Sequence, residues 1–594
     1  MRMSFLLEND NIPIFNTNTN TTIDPMIDRL HSDIDLTGTL FDSIDRTVTR
    51  GGKVELLRMM RSQPESDISR LRKRQSALVQ SHKRLSGSAA RHHLQQMSEH
   101  ELDIHWMFRM REDAAMLSVV NTAFFTTPIL SWLNSRSPAA LAGLNAFRIV
   151  GSPAISVLSP VIYCIVPYLV LCYSGGRIIG LSEYIGLLVS TTRSRLGALL
   201  KERSYGTLIG KGMSLLLTLA LYFHGAINSV EVALSLRQTC IAITKRVEGA
   251  TEFLRHAAAL REYALSEHLR DAWFGTHDVV VLAEKQQLVN NSMSMSNNTS
   301  IIEQYCHTGC CLAHVKAFDY KAAASELRVA YRLDALASVS CLISSSRPFV
   351  WASFVDSASP ILELRGMWHP ALGADKAVEN DIVLGKRHRR HMILTGPNAG
   401  GKSTLLRASL ATVLLAQTLT VAPCSGGCVL SPFSILSSHI GVVDNTGSES
   451  LFQAEMMRAQ AILDSTSSMP HGQHALAVVD EIFSSTNPVE GTSAAAACAH
   501  QMSLHPGVIS IVSTHYTYLC RALKSTHLSF GMPVDLEEET GVVKSYPYKL
   551  RKGVCRQYVA LELMRSSGFK GSLVNEAISV RASLLKRAQK KKIV

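Results

Sequence analysis

Residues 391–410 run His-Met-Ile-Leu, then Thr395-Gly396-Pro397-Asn398-Ala399-Gly400-Gly401-Lys402-Ser403-Thr404, then Leu405-Leu406-Arg407-Ala408-Ser409-Leu410. The first four read as a short buried strand and the last six open a helix, so a glycine-rich turn of Gly-x4-Gly-Lys-Ser spacing lies between strand and helix. That order of elements commits the C-terminal half to an α/β layer and gives the turn a chemistry. Gly396, Gly400 and Gly401 let the backbone curl until its N–H groups and the helix N-terminus face phosphate oxygens. Lys402 then reaches the β- and γ-phosphates and Ser403 offers a hydroxyl to Mg²⁺; Pro397, Asn398, Ala399 and Thr404 complete the candidate nucleotide contacts. The cofactors predicted are ATP and Mg²⁺. An empty glycine-rich turn is the plain alternative, and eight matching positions in this context weigh against it.

A second acidic motif follows about eighty residues later. Leu476-Ala477-Val478-Val479 is an apolar run that ends in Asp480-Glu481. Asp480 at the strand end is suited to the Mg²⁺ shell, and Glu481 to orienting or polarising an attacking water. His515 ends another apolar run, Ile511-Val512-Ser513-Thr514; it reads either as a γ-phosphate sensor or as a hydrogen-bonded core histidine.

These residues resemble the MutS family of DNA mismatch-repair ATPases. The loop 395–404 is similar to that family's Thr-Gly-Pro-Asn-x-Gly-Gly-Lys-Ser-Thr, with Ala399 where methionine is usual. Asp480-Glu481-Ile482 with Thr486 and Gly491 resembles the family's Asp-Glu-Ile-Gly-Arg-Gly-Thr segment, with Phe483-Ser484-Ser485 in place of Gly-Arg-Gly. Thr514-His515-Tyr516, Gly366-Met367-Trp368-His369-Pro370 and Asn380-Asp381 match further family elements. The segment 546–564 is similar to the last one but carries Arg556-Gln557-Tyr558 instead of Ser-Tyr-Gly.

The resemblance implies a dimer. Gly447-Ser448-Glu449-Ser450-Leu451-Phe452-Gln453-Ala454-Glu455-Met456 is similar to the signature segment whose serine reaches the nucleotide held by a second subunit, and Ser450 takes that position. Upstream, residues 39–52, ending Thr49-Arg50-Gly51-Gly52, look like the start of the MutS helical core, and residues 331–338 like the helix that closes it. Few residues precede Thr39, so no mismatch-reading domain is expected in this sequence. Phe5-Leu6-Leu7-Glu8 also lacks the Phe-x-Glu spacing of the family's wedge.

Between the core flanks lies an apolar mass. Residues 149–176 and 212–230 contain no charged side chain, and each meets the roughly twenty residues that cross a bilayer. Residues 114–135 are a weaker third candidate. Prolines 153, 160 and 167 would need their freed carbonyls covered in lipid. A pair of buried core helices is the alternative. A two-span hairpin would also send the basic stretch 177–211 across the membrane, against the positive-inside tendency. This pair stands where the family carries its DNA clamp.

Composition bounds the rest. The 594 residues call for two to four domains, and a hydrophobic fraction of 46% with mean hydropathy +0.11 is apolar for a soluble ATPase. The formal charge of +12 favours a polyanionic partner, nucleic acid or anionic membrane. Twelve cysteines without a signal peptide predict free thiols and an intracellular setting, with nucleus, nucleoid and organelle left open. Cys306, His307, Cys310, Cys311 and His314 read as buried thiols or, less simply, as metal ligands. The lysine-rich end at 590–592 reads as a solvated helix end or a phosphate contact.

The expected fold class is a C-terminal α/β P-loop ATPase domain behind a mostly α-helical MutS-core-like domain with an inserted apolar hairpin. The expected divisions are a flexible leader at 1–30, the first part of the helical core at 31–113 and the apolar insertion at 114–231. The second part of the core follows at 232–347, the ATPase domain at 348–565 and a C-terminal helix with basic tail at 566–594. The expected function is Mg²⁺-dependent ATP hydrolysis by a dimer with a second MutS-like subunit, in DNA mismatch repair or related DNA processing. The alternative is a membrane-anchored ATPase switch with lipid as its partner and no DNA contact.

Overall fold

Among the described residues none before Val350 is in a strand, and strands and helices alternate after it. The computed structural model describes residues 25–174, 180–201, 205–274, 301–347, 349–373, 375–386, 388–441, 451–537, 543–557 and 559–590. The helical part comprises α1 (Pro25–Asp33), α2 (Arg50–Arg61), α3 (Ile68–Leu85), α4 (Ser88–Glu112), α5 (Ala114–Asn121) and α6 (Pro138–Ala146). It continues with α7 (Ser152–Ser174), α8 (Leu181–Lys201), α9 (Tyr205–Ala264), α10 (Glu267–Trp273), α11 (Ile301–Ala317) and α12 (Tyr320–Ile343). Helix α1 overlaps the stretch expected as leader, whose residues 1–24 lie outside the described residues.

The chain divides into two compact units. One holds Met1–Ser98, His256–Glu284 and Ala324–Val594, the other Glu99–Arg255 and Lys285–Ala323. In the first unit a fully buried carboxylate joins the two core flanks. Asp334 of α12 accepts from Thr49 N at 2.8 Å, Thr49 Oγ1 at 2.7 Å and Val48 N at 3.1 Å, while Thr49 caps α2 by accepting from Gly52 N at 2.9 Å. A Cβ at Gly51 would lie 2.3 Å from the Tyr331 ring, and one at Gly52 2.1 Å from the Asp334 carboxylate. Only glycine allows the two helices this approach. Asp67 caps α3 in the same manner, accepting from Ser69 N at 2.8 Å.

In the second unit, α6 and α11 pack closely enough that a Cβ at Gly309 would meet the Pro138 carbonyl at 2.3 Å. Arg246 of α9 pairs with Asp103 of α4 at 2.6 Å. Buried Asn145 donates to the carbonyls of Ala123 and Leu141 at 3.0 and 2.9 Å. Helix α7 and the stretch 216–234 of α9 depart from this pattern, because their large apolar side chains are exposed.

The α/β part of the first unit holds two main sheets. Strands β1 (Val350–Phe354), β2 (Ile361–Met367), β3 (Asn380–Gly385), β4 (His391–Thr395), β5 (Val421–Ala422), β6 (Cys424–Leu430) and β7 (Ile435–His439) are followed by β8 (Ala475–Asp480), β9 (Val508–Ser513) and β10 (His527–Gly531). Three short strands close the series, β11 (Asp535–Leu536), β12 (Val543–Ser545) and β13 (Arg551–Lys552). A five-stranded sheet runs β3-β2-β6-β1-β5, and a six-stranded one β13-β10-β4-β9-β8-β7. From β10 to β7 the second sheet is parallel, with Leu394 opposite Ser513 and Asp480 opposite Ser513. Parallel strands need helical crossovers, and these strands read as continuous apolar runs because both faces are covered. The helices here are α13 (Lys402–Leu419), α14 (Leu451–Ser467), α15 (Pro488–Leu504), α16 (Thr517–Ala522), α17 (Ala560–Ser566) and α18 (Gly571–Lys590).

Helix α13 is buried along most of its length and anchored at its far end. The Gln417 amide donates to the carbonyls of Glu65 and Phe433, each at 2.8 Å, and accepts from Phe433 N at 3.0 Å. Buried Asp33 of α1 likewise accepts from Ile440 N at 3.1 Å.

Candidate functional site

Strand order makes the site. Because β4, β9 and β8 are neighbours in one parallel sheet, their C-terminal ends deliver the glycine-rich turn, the Thr514-His515 segment and the Asp480-Glu481 pair to one edge. The crevice beyond the carboxyl ends of parallel strands is where α/β folds place ligands. The turn between β4 and α13 is tight: Gly400 N donates to the Pro397 carbonyl at 3.1 Å, and Ala399 and Gly401 have φ of 62° and 92°. A Cβ at Gly396 would lie 2.9 Å from the Met532 carbonyl, and one at Gly400 3.0 Å from that of Pro397. The strained, non-glycine φ at Ala399 falls where the resembling family usually has methionine, so neither chain has glycine there.

Lys402 is 5% exposed at the first position of α13. Its Nζ donates to the carbonyls of Gly396 and Pro397 at 3.1 and 3.2 Å and stands 3.3 Å from Glu481 Oε1. The same carboxylate oxygen lies 2.9 Å from His515 Nε2. The hydrogen bond from His515, with the charges of His515 and Lys402, outweighs burial and holds the Glu481 carboxyl down at about 2. Glu481 is therefore a carboxylate throughout the neutral range. Asp480 accepts a hydrogen bond from Ser513 Oγ, whose strand position lies directly across from it. Ser403 and Thr404 are half-buried at the start of α13, and Asn398 and Ala399 are exposed at the tip of the turn.

The structure thus brings together Lys402, Asp480, Glu481 and His515, which lie up to 113 positions apart in the chain. Ser450 and the preceding signature residues lie outside the described residues. The helix that follows them is described: Glu455 of α14, 4% exposed, accepts from Ser485 Oγ at 2.8 Å. This contact ties the signature helix to the loop after Glu481.

That loop shows what replaces the family's glycines. Glu481 and Phe483 have φ of 49° and 58°, a left-handed backbone at two non-glycine positions. Phe483 tolerates it because its ring is buried, 6.0 Å from that of Phe452. The Phe483 carbonyl accepts from Tyr516 Oη at 3.2 Å, and a Cβ at Gly491 would lie 2.4 Å from the same oxygen. Gly491 is needed there for close approach.

Sequence reasoning gave no separate role to Ser513 or Tyr548. Tyr548 has φ of 51°, and its ring carbon would lie 2.9 Å from a Cβ at Gly401, so it borders the turn. Asn380 holds it there, donating to the Tyr548 carbonyl at 3.0 Å and accepting from Leu550 N at 2.7 Å. Tyr546 and Tyr548 stack with centroids 5.9 Å apart. Asn380 and the segment 546–564 are separate elements in the sequence, and no local pattern reveals that they meet. His369 caps a turn by accepting from Ala371 N at 3.2 Å, and burial followed by the nearby Arg407 charge lowers it to about 4, leaving a neutral imidazole.

The cysteine-histidine cluster is a packing feature. His307 Nε2 meets Glu248 Oε1 at 2.6 Å, and burial pushes the Cys311 thiol up to about 12. Among the described residues no group of three or more His, Cys, Asp or Glu is arranged to hold a metal ion, and the twelve cysteines are free.

Residues 392–585 match the family model of MutS domain V. Chicken (Gallus gallus) DNA mismatch repair protein Msh6 is 30% identical over 218 residues, 34% of this chain and 16% of that protein. Arabidopsis thaliana DNA mismatch repair protein MSH7 is 30% identical over 250 residues, covering 39% and 22% of the two chains. DNA mismatch repair protein MutS of Geobacillus sp. (strain WCH70) is 31% identical over 265 residues, 44% of this chain and 29% of that one. The chain therefore spans less than a third of the length of these relatives.

Proposed function

The chain belongs to the MutS family through residues 392–585, and we propose that it is a Mg²⁺-dependent ATP hydrolase that works as a pair of such domains in DNA mismatch repair or related DNA processing. The observation that carries this reading is the meeting of three motifs at one carboxylate: Glu481 Oε1 is 3.3 Å from Lys402 Nζ and 2.9 Å from His515 Nε2. The residues present fit Mg²⁺-ATP. The glycine cradle leaves no room for a Cβ at Gly396 without moving backbone, and the buried Lys402 ammonium faces it.

Gly396 to Thr404 would hold the phosphates, Ser403 and Asp480 the Mg²⁺. That ion supplies charge neutralisation at the transferring phosphoryl group. Lys402 supplies fixed positive charge in a water-poor pocket, where it acts more strongly than in solvent. Ser513 holds the Asp480 carboxylate in one orientation. Glu481, kept ionised by His515 and Lys402, accepts from and orients a water, and His515 steadies Glu481. Ser450, from the second subunit, is assigned the completing contact across the dimer by family resemblance.

The test is turnover of Mg²⁺-ATP by the full chain. Loss of turnover in Lys402→Ala supports the reading, and wild-type turnover in that variant overturns it. DNA contact is tested by binding of duplex DNA at rising salt, because phosphate contacts release counterions and give a steep negative slope. A second reading, a membrane-anchored switch that does not touch DNA, is favoured by the exposed apolar side chains of α7 and α9.

A further inference from the structure

Helix α7 is apolar and exposed on every face. Successive residues of a helix turn by about 100°, so Leu158, Ile162, Val170, Leu171, Val157 and Val161 lie around its whole circumference; their exposures run from 37% at Ile162 to 56% at Val170. A protein partner seated in a groove covers one stripe of a helix, whereas lipid covers all of it. The first part of α9 is similar, with Leu216, Leu217, Leu221 and Phe223 exposed. Both helices are long and apolar enough to cross a membrane. The 23 residues of α7 reach about 35 Å at ~1.5 Å each, against a hydrocarbon layer of about 30 Å.

Charge and backbone chemistry select lipid as the occupant. The charge-free run 149–176 is bracketed by Arg148 and Arg177, and 212–230 is preceded by Lys211 and followed, past Glu231, by Arg237. Basic ends of this kind complement anionic headgroups. Inside hydrocarbon each backbone polar group needs a protein partner. Pro160 and Pro167 lie inside α7; each leaves the carbonyl four residues back without its donor. Ser159 Oγ donates to the Ser156 carbonyl at 2.9 Å, which is four before Pro160. Tyr222 Oη of α9 donates to the Val157 carbonyl and Tyr184 Oη of α8 to the Cys164 carbonyl, both at 2.7 Å; these lie three before Pro160 and Pro167. Thr191, Thr192 and Thr218 also return their hydroxyls to carbonyls of their own helices, at 2.6 to 2.8 Å.

We infer that α7 and the first part of α9 are embedded in the hydrocarbon layer of a phospholipid bilayer, with Tyr184 and Tyr222 giving partners to α7 carbonyls next to those that the two prolines free. This rests on the apolar helices alone and not on ATP hydrolysis.

The test is expression of the full chain, carbonate washing of the membranes, and flotation of the purified chain with vesicles of phosphatidylcholine and phosphatidylglycerol free of other protein. The wild-type chain is expected in the washed membranes and in the floated vesicles. The double variant Val161→Lys, Val170→Lys changes two exposed positions, so its fold is expected to hold, while the retained fraction falls at least tenfold. Release of the wild-type chain by carbonate overturns the inference, as does retention by membranes without flotation on pure lipid, which would mean a protein receptor. Equal retention of the double variant overturns it too. Lys402→Ala should stay in the membranes, so loss of turnover and loss of embedding are read separately.

Discussion

The Glu481 carboxylate stands 3.3 Å from the Lys402 ammonium, although 79 positions separate them in the chain. The pair closes the glycine-rich turn against the end of β8 and gives the buried ammonium a counter-charge. Under the proposed function, a γ-phosphate at Lys402 would compete with Glu481 for it, coupling nucleotide arrival to release of Glu481 at one nitrogen.

Lys402→Ala should reduce ATP turnover by at least about a hundredfold, the scale of losing one preorganised charge at a transition state. Steady-state phosphate release measures it, and nucleotide affinity should fall with it.

Glu481→Gln should retain ATP binding while turnover falls about a hundredfold or more. Fluorescent-nucleotide binding beside phosphate release separates the two effects; weakened binding with unchanged turnover would remove Glu481 from its role.

The pH dependence of the Glu481 contribution has a definite sign. Its carboxyl is lowered from 4.5 to about 2, mainly by the His515 hydrogen bond. The stabilisation is fully present above about 4.5 and disappears as pH falls through about 2. The stability difference between wild type and Glu481→Gln should shrink as pH falls between about 4.5 and 2, as denaturant midpoints across that range will show.

Asp334→Ala should destabilise the helical part by about 3 kcal/mol or more, because it leaves the donors of Val48, Thr49 N and Thr49 Oγ1 buried without their acceptor. Equilibrium denaturation of the variant, with ATP turnover followed in parallel, measures the loss.

Phe483→Gly tests two opposed effects. Glycine relieves the left-handed backbone, worth about 1–2 kcal/mol, but removing a buried Phe costs about 3–5 kcal/mol. The variant should therefore be less stable than wild type, and a gain in thermal midpoint would refute the account of this loop.

The glycine turn and the acidic pair were legible in sequence because each is local: a strand, a few positions of fixed spacing, then a helix or a turn. Their meeting was not, since it depends on β9 lying between β4 and β8, a pairing that no periodicity encodes. Gly51 and Gly52 stood out as part of a resemblance, but their reason is the ring of Tyr331 and the carboxylate of Asp334, more than 270 positions away. Tyr548 escaped notice because its place beside Gly401 is set by two bonds from Asn380. The apolar runs were evident from composition, whereas the tyrosine hydroxyls over α7 required coordinates.

The amide of Gln417 has a wider consequence. Helix α13 is a strut of 18 residues, about 27 Å long, with Lys402 of the glycine-rich turn at one end and at the other an amide clipped to the main chain of Glu65, in the linker between two N-terminal helices, and of Phe433. An axial shift of its first turn, even by a fraction of an ångström, must either be transmitted to that linker or stretch those bonds. The glycine-rich turn and the N-terminal framework therefore share one push-rod.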